Sequence, residues 1–277
     1  LQVVTPGGSF DLKPRIVSPG AIQGHYDAIL LAVKAYSLEG VLDDMAPAVG
    51  AETMILPMLN GMKHIDVLSV RFGKQAVLGG VCRISAHLDD QGRIVQFAKF
   101  EDLVYGELDG ARTARIAELD AFMQGAAFHA RLSFTIEREM WEKWVMLATL
   151  AGVTCLMRGT TGEIVAAPGG KEFINRLLDE VASVVTAEGH APGETFLAQT
   201  RSLLTAQGSP LAASMYRDLQ NGSPIEADQI IGDLLNRGRQ ANIAVPLLTL
   251  AYTHLAVYQS RIERNSDQKD AQDHKSS

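Results

Sequence analysis

The chain has 277 residues, 21% of them charged, and a formal net charge of −7, which is ordinary composition for one large or two ordinary globular domains. Without a basic excess, the electrostatic basis for binding nucleic acid is absent. The uncharged run Trp144–Met157 is shorter than the roughly 18–20 residues of a membrane helix, so no membrane partner is expected.

Cysteine and histidine usage argues against a disulfide framework and against a metal site. The two cysteines, Cys82 and Cys155, lie far apart in the sequence, and the seven histidines are scattered singly. This usage is typical of a reducing compartment, so we expect a cytoplasmic protein without a bound metal.

The first half of the chain alternates predicted strands and helices. Leu1–Gly8 already has a strand-and-turn pattern, and Asp27–Val33 and Thr53–Leu59 are apolar runs typical of strands buried on both faces, with Pro57 indicating a bulge or strand end. Further strands are predicted at Ala76–Ile84, Arg93–Phe97, Asp102–Gly106 and His129–Ser133, and helices near Ser37–Ala48, Lys63–Phe72 and Ala111–Gln124. This rhythm predicts an α/β domain with a parallel, doubly wound sheet.

The second half of the chain is predicted to be helical. Helices are expected at about 137–157, 170–188, 193–206, 211–220, 224–240 and 246–264. We therefore predict an α/β domain over residues 1–134 and an all-α domain over 135–264. The polar tail 265–277 has no apolar anchor and is expected to be disordered.

Two polar residues follow predicted strands, where ligands bind in doubly wound sheets. Lys34 follows Asp27–Val33, and Asn60 follows Thr53–Leu59. A lysine there can meet a phosphate or carboxylate, and an asparagine amide can hold a ribose hydroxyl or a carbonyl. The alternative is a solvated strand end at Lys34 and a simple Asn-Gly turn at Asn60.

Lys143 is the last charged residue before the uncharged run of the first long helix. Leu147 and Ala151, four and eight residues further on, share its helix face and are apolar. A lysine at the edge of a core suits general acid catalysis, whereas the alternative is a lysine that extends from a helix end into water.

Glu226 and Ser214 have structural explanations of their own. Ser223-Pro224-Ile225-Glu226 has the form of a capping box with proline at the first helical position, which needs no catalytic role for the glutamate. Ser214 is, from the sequence alone, a serine near a helix.

Taken together, these segments resemble the ketopantoate reductase (2-dehydropantoate 2-reductase) family. The match consists of Val33-Lys34-Ala35, Leu59-Asn60-Gly61-Met62, Trp141-Glu142-Lys143, Ser214-Met215 with Asp218, Glu226, and Ile243-Ala244-Val245-Pro246. Each motif is weak singly, but their order and spacing extend through nearly all of residues 1–264.

The resemblance implies a Rossmann-type domain, a helical catalytic domain and reduction of a 2-keto acid by NADPH, as in pantothenate biosynthesis. Lys143 would donate the proton to the new alkoxide and Ser214 would bind the substrate carboxylate. Lys34, Asn60 and, by a looser match, Ser85 would contact the cofactor, NADP(H). Glu226 would contact the cofactor or Lys143.

The sequence departs from the family pattern in two ways. It contains no Gly-x-Gly-x-x-Gly loop, so we expect a missing βαβ start of about 50 residues and weak NADPH binding by residues 1–277. Positions implied to be substrate-binding asparagines are Leu147, Ala151, Thr161 and Leu211, which favours a bulkier or more apolar 2-keto acid than ketopantoate.

Three functions therefore stay open at this point. The first is an NADPH-dependent 2-keto acid reductase, and the second is a related hydroxyacid dehydrogenase that works in the oxidative direction. The third is a non-catalytic relative used for binding or assembly. A homodimer is the commonest symmetric assembly, but the sequence does not specify one.

Overall fold

A computed structural model describes the backbone of residues 1–96 and 101–276, and the side chains of these residues as far as residue 265. The chain divides into two compact units. The first comprises Leu1–Asn60 and His64–Met140, and the second comprises Gly61–Lys63 and Trp141–Ser277. In the described part of the chain, no helix is long and apolar enough to cross a membrane.

The α/β part of the described chain contains nine strands and three α-helices. The strands are β1 (Gln2–Thr5), β2 (Gly8–Asp11), β3 (Ala28–Leu31), β4 (Met54–Pro57), β5 (Leu78–Arg83), β6 (Ala86–Leu88), β7 (Ile94–Gln96), β8 (Asp102–Glu107) and β9 (His129–Leu132). The helices are α1 (Leu38–Met45), α2 (Lys63–Phe72) and α3 (Ala114–Met123).

The main strands form two hydrogen-bonded groups, β3-β4 and β5-β8-β9. β3 pairs in parallel with β4, and a parallel bridge between Ile55 and Val77 continues the arrangement to β5. β8 is antiparallel to β5 and parallel to β9, so the sheet is mixed instead of wholly parallel. The reason is the connection from β5 to β8, which has β6 and β7 in place of a crossover helix and returns the chain in the opposite direction.

A second sheet forms at the start of the chain, with the order β2-β1-β7-β6. The predicted strand-and-turn pattern of Leu1–Gly8 corresponds to the β1-β2 hairpin, whereas β6 was not predicted. The predicted strand Arg93–Phe97 corresponds to β7, and Phe97 lies outside the described residues.

The two neighbouring strands that were predicted to be buried on both faces differ in their exposure to solvent. All four residues of β4 are buried, and Pro57 ends the strand, as expected. In β3 the prediction is wrong, because Leu30 is 45% exposed. β3 has β4 as its neighbour on one side, and its only described pairing partner is that strand. The core of the unit forms where β4, β5 and β8 pack against α3 through residues such as Leu56, Leu78, Tyr105 and Ile116.

The second part of the chain is helical. Its helices are α4 (Ile136–Met157), α5 (Thr161–Ala166), α6 (Gly170–Ala187), α7 (Glu194–Leu204), α8 (Ser214–Gln220), α9 (Asp233–Gln240) and α10 (Pro246–Ser276), with a π-turn at Asp228–Gly232. α10 continues past residue 264, where the sequence predicts the end of the helical domain. The predicted order of an α/β domain followed by an all-α domain is confirmed.

The first unit extends six residues beyond the boundary predicted at residue 134. The first turn of α4 packs against β5, because a Cβ on Gly79 would lie 2.8 Å from Ile136 and 3.0 Å from the sulfur of Met140. The opening turn of α4 therefore belongs to the core of the first unit.

Candidate active site

In the first unit, three of the predicted cofactor residues, Lys34, Asn60 and Ser85, follow the carboxyl ends of neighbouring strands. Leu31 and Pro57 are register partners at the ends of β3 and β4, and the backbone N–H of Met58 donates to the carbonyl of Leu31 at 3.0 Å. Lys34 and Asn60 each lie three residues beyond these partners. The two residues therefore follow the carboxyl ends of adjacent strands. Lys34 is exposed and Asn60 is half-buried.

Ser85 follows the third parallel strand of the same edge. β5 ends at Arg83 and runs parallel to β4, and Ser85 is half-buried two residues further on. Its hydroxyl, the Lys34 ammonium and the Asn60 amide are donors of the kind that hold phosphates and sugar hydroxyls. This donor set fits part of a dinucleotide cofactor, while a Gly-x-Gly-x-x-Gly loop is absent from the sequence.

The turn between Asn60 and α2 requires glycine. Gly61 has a φ of +81°, and a Cβ there would lie 2.8 Å from the backbone oxygen of Gln229. The Asn-Gly pair is therefore more than a local turn, because Gln229, which lies in the same unit as Gly61, approaches the Gly61 backbone too closely for any other residue.

In the second unit, Lys143 lies half-buried in the second turn of α4. Trp141 and Trp144 on either side of it are 4% and 1% exposed. Leu147, one turn further on, is half-buried, and Ala151 is 2% exposed. The predicted position of Lys143 at the edge of a core is confirmed.

An ion-pair network built on Arg237 contacts the two tryptophans. The guanidinium of Arg237 lies 5.6 Å from the Trp141 ring and 5.8 Å from the Trp144 ring. The same guanidinium pairs with Glu188 at 2.8 Å and with Asp233 at 3.2 Å. Because these groups are largely buried, this network fixes the indole rings more firmly than a surface ion pair would.

Ser214 is the exposed first residue of α8. The preceding residue, Ala213, donates its backbone N–H to the Thr154 hydroxyl at 3.4 Å. Thr154 follows Lys143 by eleven residues, about three helical turns and about 16 Å along the same face of α4. α4 thus carries Lys143 at one point and holds the start of α8 at another.

Two of the predicted substrate positions are hydrogen-bonded to each other. The backbone N–H of Thr161 donates to the carbonyl of Leu211 at 2.9 Å. The hydroxyl of Thr161 is fully buried and has no hydrogen-bond partner among the described residues. A buried hydroxyl in this state is costly unless a ligand or water satisfies it.

Glu226 is buried at 7% exposure and precedes the helical segment instead of lying inside it. The predicted capping box is wrong, because the π-turn begins at Asp228 and residues 224–226 are not helical. The backbone N–H of Ile225 donates to Gln259, and the carbonyl of Ser223 accepts from the Tyr258 hydroxyl. These contacts with α10 hold the segment outside the helix.

A separate cavity of about 410 Å³ lies at the far end of α4. Its wall includes Met157, Arg158, Ile164 and Phe173, and none of the predicted site residues contributes to it.

Both cysteines are free, and burial raises the pKa of the Cys155 thiol to about 12, which makes that thiol a poor nucleophile. No group of three potential metal ligands occurs within the described ranges.

These features define a protein with an α/β nucleotide-binding type of domain and a helical domain that presents a half-buried lysine. Models of the ketopantoate reductase family match residues 1–110 (Ketopantoate reductase PanE/ApbA) and 135–259 (Ketopantoate reductase PanE/ApbA C terminal). The chain belongs to the ketopantoate reductase family.

Three relatives illustrate the range of this similarity. An uncharacterized oxidoreductase, YkpB, from Bacillus subtilis is 32% identical over 94% of this chain and 86% of its own length. The crystal structure of 2-dehydropantoate 2-reductase from Geobacter metallireducens has a TM-score of 0.81 and 25% identity, covering 92% of this chain and 85% of that one. D-mandelate dehydrogenase with NADH and anilino(oxo)acetate has a TM-score of 0.83 and 21% identity, covering 95% and 86%.

Sequence reasoning did not single out the tryptophans that flank Lys143. Their contacts join α4 to residues 49 to 96 positions away, such as His190, Ile230 and Arg237. No local pattern indicates these partners.

Proposed function

We propose that the protein reduces a small 2-keto acid to the 2-hydroxy acid with NAD(P)H in the cytoplasm. The observation that carries the proposal is the half-buried Lys143 on a turn of α4 whose neighbouring side chains are fixed by buried contacts. Membership of the ketopantoate reductase family supports the same reaction class.

Lys34, Asn60 and Ser85 are proposed to contact the cofactor from the edge of the sheet, and Glu226 to contact the cofactor or Lys143. The cofactor, when bound, supplies the hydride. NADPH is the proposed donor because it is the one that the family resemblance implies, and the substrate panel compares it with NADH.

Lys143 is the proposed proton donor. As hydride adds to the keto carbon, the carbonyl oxygen becomes an alkoxide, and the ammonium of Lys143 gives it a proton to form the hydroxyl group. Water then returns a proton to the lysine. General acid catalysis of this kind is typically worth about 10²–10⁴ in rate.

Ser214 is proposed to bind the substrate carboxylate, and Leu147, Ala151, Thr161 and Leu211 to shape the pocket around the rest of the substrate. Two of these positions offer only aliphatic side chains on α4, and Ala151 is packed into the core. An aliphatic surface near Lys143 favours a branched or aromatic 2-keto acid over the hydroxylated ketopantoate.

The same aliphatic positions favour a second candidate, a hydroxyacid dehydrogenase that oxidises an apolar 2-hydroxy acid. The two candidates use one site and differ in direction and substrate. A role in pantothenate biosynthesis belongs to the first candidate and requires a preference for ketopantoate. A homodimer is proposed for either on symmetry grounds.

A substrate panel tests the proposal. Ketopantoate, 2-ketoisovalerate, 2-ketoisocaproate and phenylglyoxylate are assayed with NADPH and NADH, and the matching hydroxy acids with NADP⁺ and NAD⁺. We expect reduction of an apolar acid with kcat/KM above that for ketopantoate. Preference for ketopantoate would contradict the pocket assignment. Because weak NADPH binding is expected, the cofactors are raised to saturation, and no turnover of any acid in either direction at saturation would contradict the proposed function.

A further inference from the structure

The π-turn Asp228–Gly232 follows Glu226 by two residues. Its defining bond joins the N–H of Asp233 to the carbonyl of Asp228, five residues back. Such turns hold one residue more than an α-helical turn, are rare, and occur frequently at functional sites. Gln229, Ile230, Ile231 and Gly232 are buried, so contacts from elsewhere in the unit are available to stabilise the wider turn.

Three parts of the second unit contact this π-turn. The indole N–H of Trp144 donates to the carbonyl of Ile230 at 2.9 Å, in a fully buried hydrogen bond. The Tyr252 hydroxyl donates to Asp228 at 2.7 Å, and the Gly61 backbone approaches the Gln229 carbonyl. The π-turn is therefore the point at which α4, α10 and the Gly61 turn converge.

The turn of α4 that carries Lys143 is held on three sides. Trp141 stacks on His190, with ring centroids 4.5 Å apart, and the Glu142 carboxylate accepts the backbone N–H of Gly193 at 3.2 Å. Trp144 makes the directional bond to the π-turn. A hydrogen bond of this length constrains both the rotation of α4 about its axis and its translation along that axis.

We propose that Trp144 is a positioning residue, whose bond to Ile230 fixes the direction in which α4 presents Lys143 relative to the segment that carries Glu226. This inference rests on the proposed reductase function. Residues 143 and 144 are about 100° apart on the helix, so a rotation that breaks the Trp144 bond also turns Lys143. Misplacement of a reacting group by about 1 Å can cost about 10²-fold in rate.

The test compares Trp144→Phe with Trp141→Phe. Both substitutions keep a buried aromatic ring and remove an indole N–H. In Trp144 that N–H bonds Ile230, whereas the Nε1 of Trp141 has no hydrogen-bond partner among the described residues. Trp141→Phe is therefore a control for the loss of ring area and of packing in the same helical turn.

Trp144→Phe should lower kcat about tenfold, with KM for NADPH within about twofold, and should shift the limb of the kcat/KM pH profile that reports the acid. Trp141→Phe should leave kcat within about twofold and the pH profile in place. Equal effects of the two substitutions, or an unshifted profile in Trp144→Phe, would overturn the inference.

The chain has two tryptophans, so a ¹⁵N–¹H spectrum contains two indole signals, and each Phe variant assigns one. The Trp144 signal should lie downfield of the Trp141 signal. When Trp141 is replaced, the Trp144 signal should show little broadening and little change in position. An upfield Trp144 signal would contradict the hydrogen bond even if the protein had no reductase activity. An inactive wild type with a downfield Trp144 signal would refute the proposed function and, with it, the positioning role. The hydrogen bond between Trp144 and Ile230 would still be supported.

Discussion

The sheet edge of the first unit and the Lys143 turn of the second unit hold their polar groups in different ways. Lys34 and Asn60 are placed by strand register, and their side chains lie at or near the surface. Lys143 is half-buried between two buried indoles, one of which bonds a carbonyl 86 residues away. Substitutions at the sheet edge should therefore change ligand binding alone, whereas substitutions around Lys143 should also change how the reacting group is oriented.

The largest expected effect is that of Lys143→Ala on turnover. Loss of the proposed proton donor should lower kcat at least about 100-fold, since general acid catalysis supplies that much or more. The measurement is steady-state reduction of the preferred 2-keto acid, with circular dichroism to verify folding. Lys171→Ala, which alters an exposed lysine of α6, is the control and should retain full activity. Activity of Lys143→Ala within about fivefold of wild type would contradict the assignment of Lys143 as the proton donor.

The second effect concerns the stability of the first unit away from its sheet edge. Arg115 donates two hydrogen bonds to Glu107, at 2.8 and 2.6 Å, and Glu107 is 6% exposed. Arg115→Ala leaves that carboxylate buried with fewer partners and should reduce the free energy of unfolding in urea by about 2–3 kcal/mol. Arg176→Ala, which breaks the exposed pair with Glu172, should cost less than about 0.5 kcal/mol.

The stability that the Glu107 carboxylate contributes should depend on pH. Burial raises the pKa of Glu107, but hydrogen bonds from Arg115 and Thr113 outweigh burial and leave the pKa below its usual value. A lowered pKa in the folded state contributes stability above the unfolded value of about 4.3 and loses it as the pH falls. The difference between wild type and Glu107→Gln should therefore be largest near pH 7 and shrink below about pH 4. A difference that grows in acid would contradict this arrangement.

Lys34→Ala tests the sheet edge itself. Loss of a charge-assisted hydrogen bond to a phosphate should raise KM for NADPH about tenfold, while kcat and the melting temperature stay within error. Lys74→Ala, which lies before the start of β5 and not at the carboxyl end of a strand, serves as the control. A changed melting temperature would show that Lys34 is structural.

The smallest effect is expected from Leu147→Asn. An amide one helical turn beyond Lys143 should shift the ratio of kcat/KM values by about fivefold in favour of a hydroxylated 2-keto acid over an apolar one. The ratio is measured for ketopantoate and 2-ketoisocaproate with the same enzyme preparation. A shift in the opposite direction would remove Leu147 from the proposed pocket.

The contrast between the two regions also explains what the sequence could predict. The apolar runs at 27–33 and 53–59 identify β3 and β4, and register then places Lys34 and Asn60 at one edge. The exposure of Leu30 and the antiparallel β8 depend on neighbours in the sheet and on the connection between β5 and β8. Such features are set by long-range pairing, which periodicity does not encode.

Two similar motifs had opposite outcomes. Thr160 and Glu163 form a reciprocal capping box that begins α5, a helix that the same sequence rule could have identified. Ser223 and Glu226 match that rule, yet contacts of Ser223 and Ile225 with α10 keep the segment non-helical. Local capping rules therefore succeed where the segment is exposed and fail where a distant helix supplies stronger partners.

The central claim is that the protein transfers hydride to a 2-keto carbon while Lys143 protonates the oxygen. The most direct measurement is NMR of the product formed from a 2-keto acid and NADPH deuterated at the transferable C4 position. We expect deuterium at C2 of the 2-hydroxy acid with the wild type, and at least about 100-fold slower appearance of that product with Lys143→Ala. Product without deuterium at C2, or equal rates for the two proteins, would contradict the account.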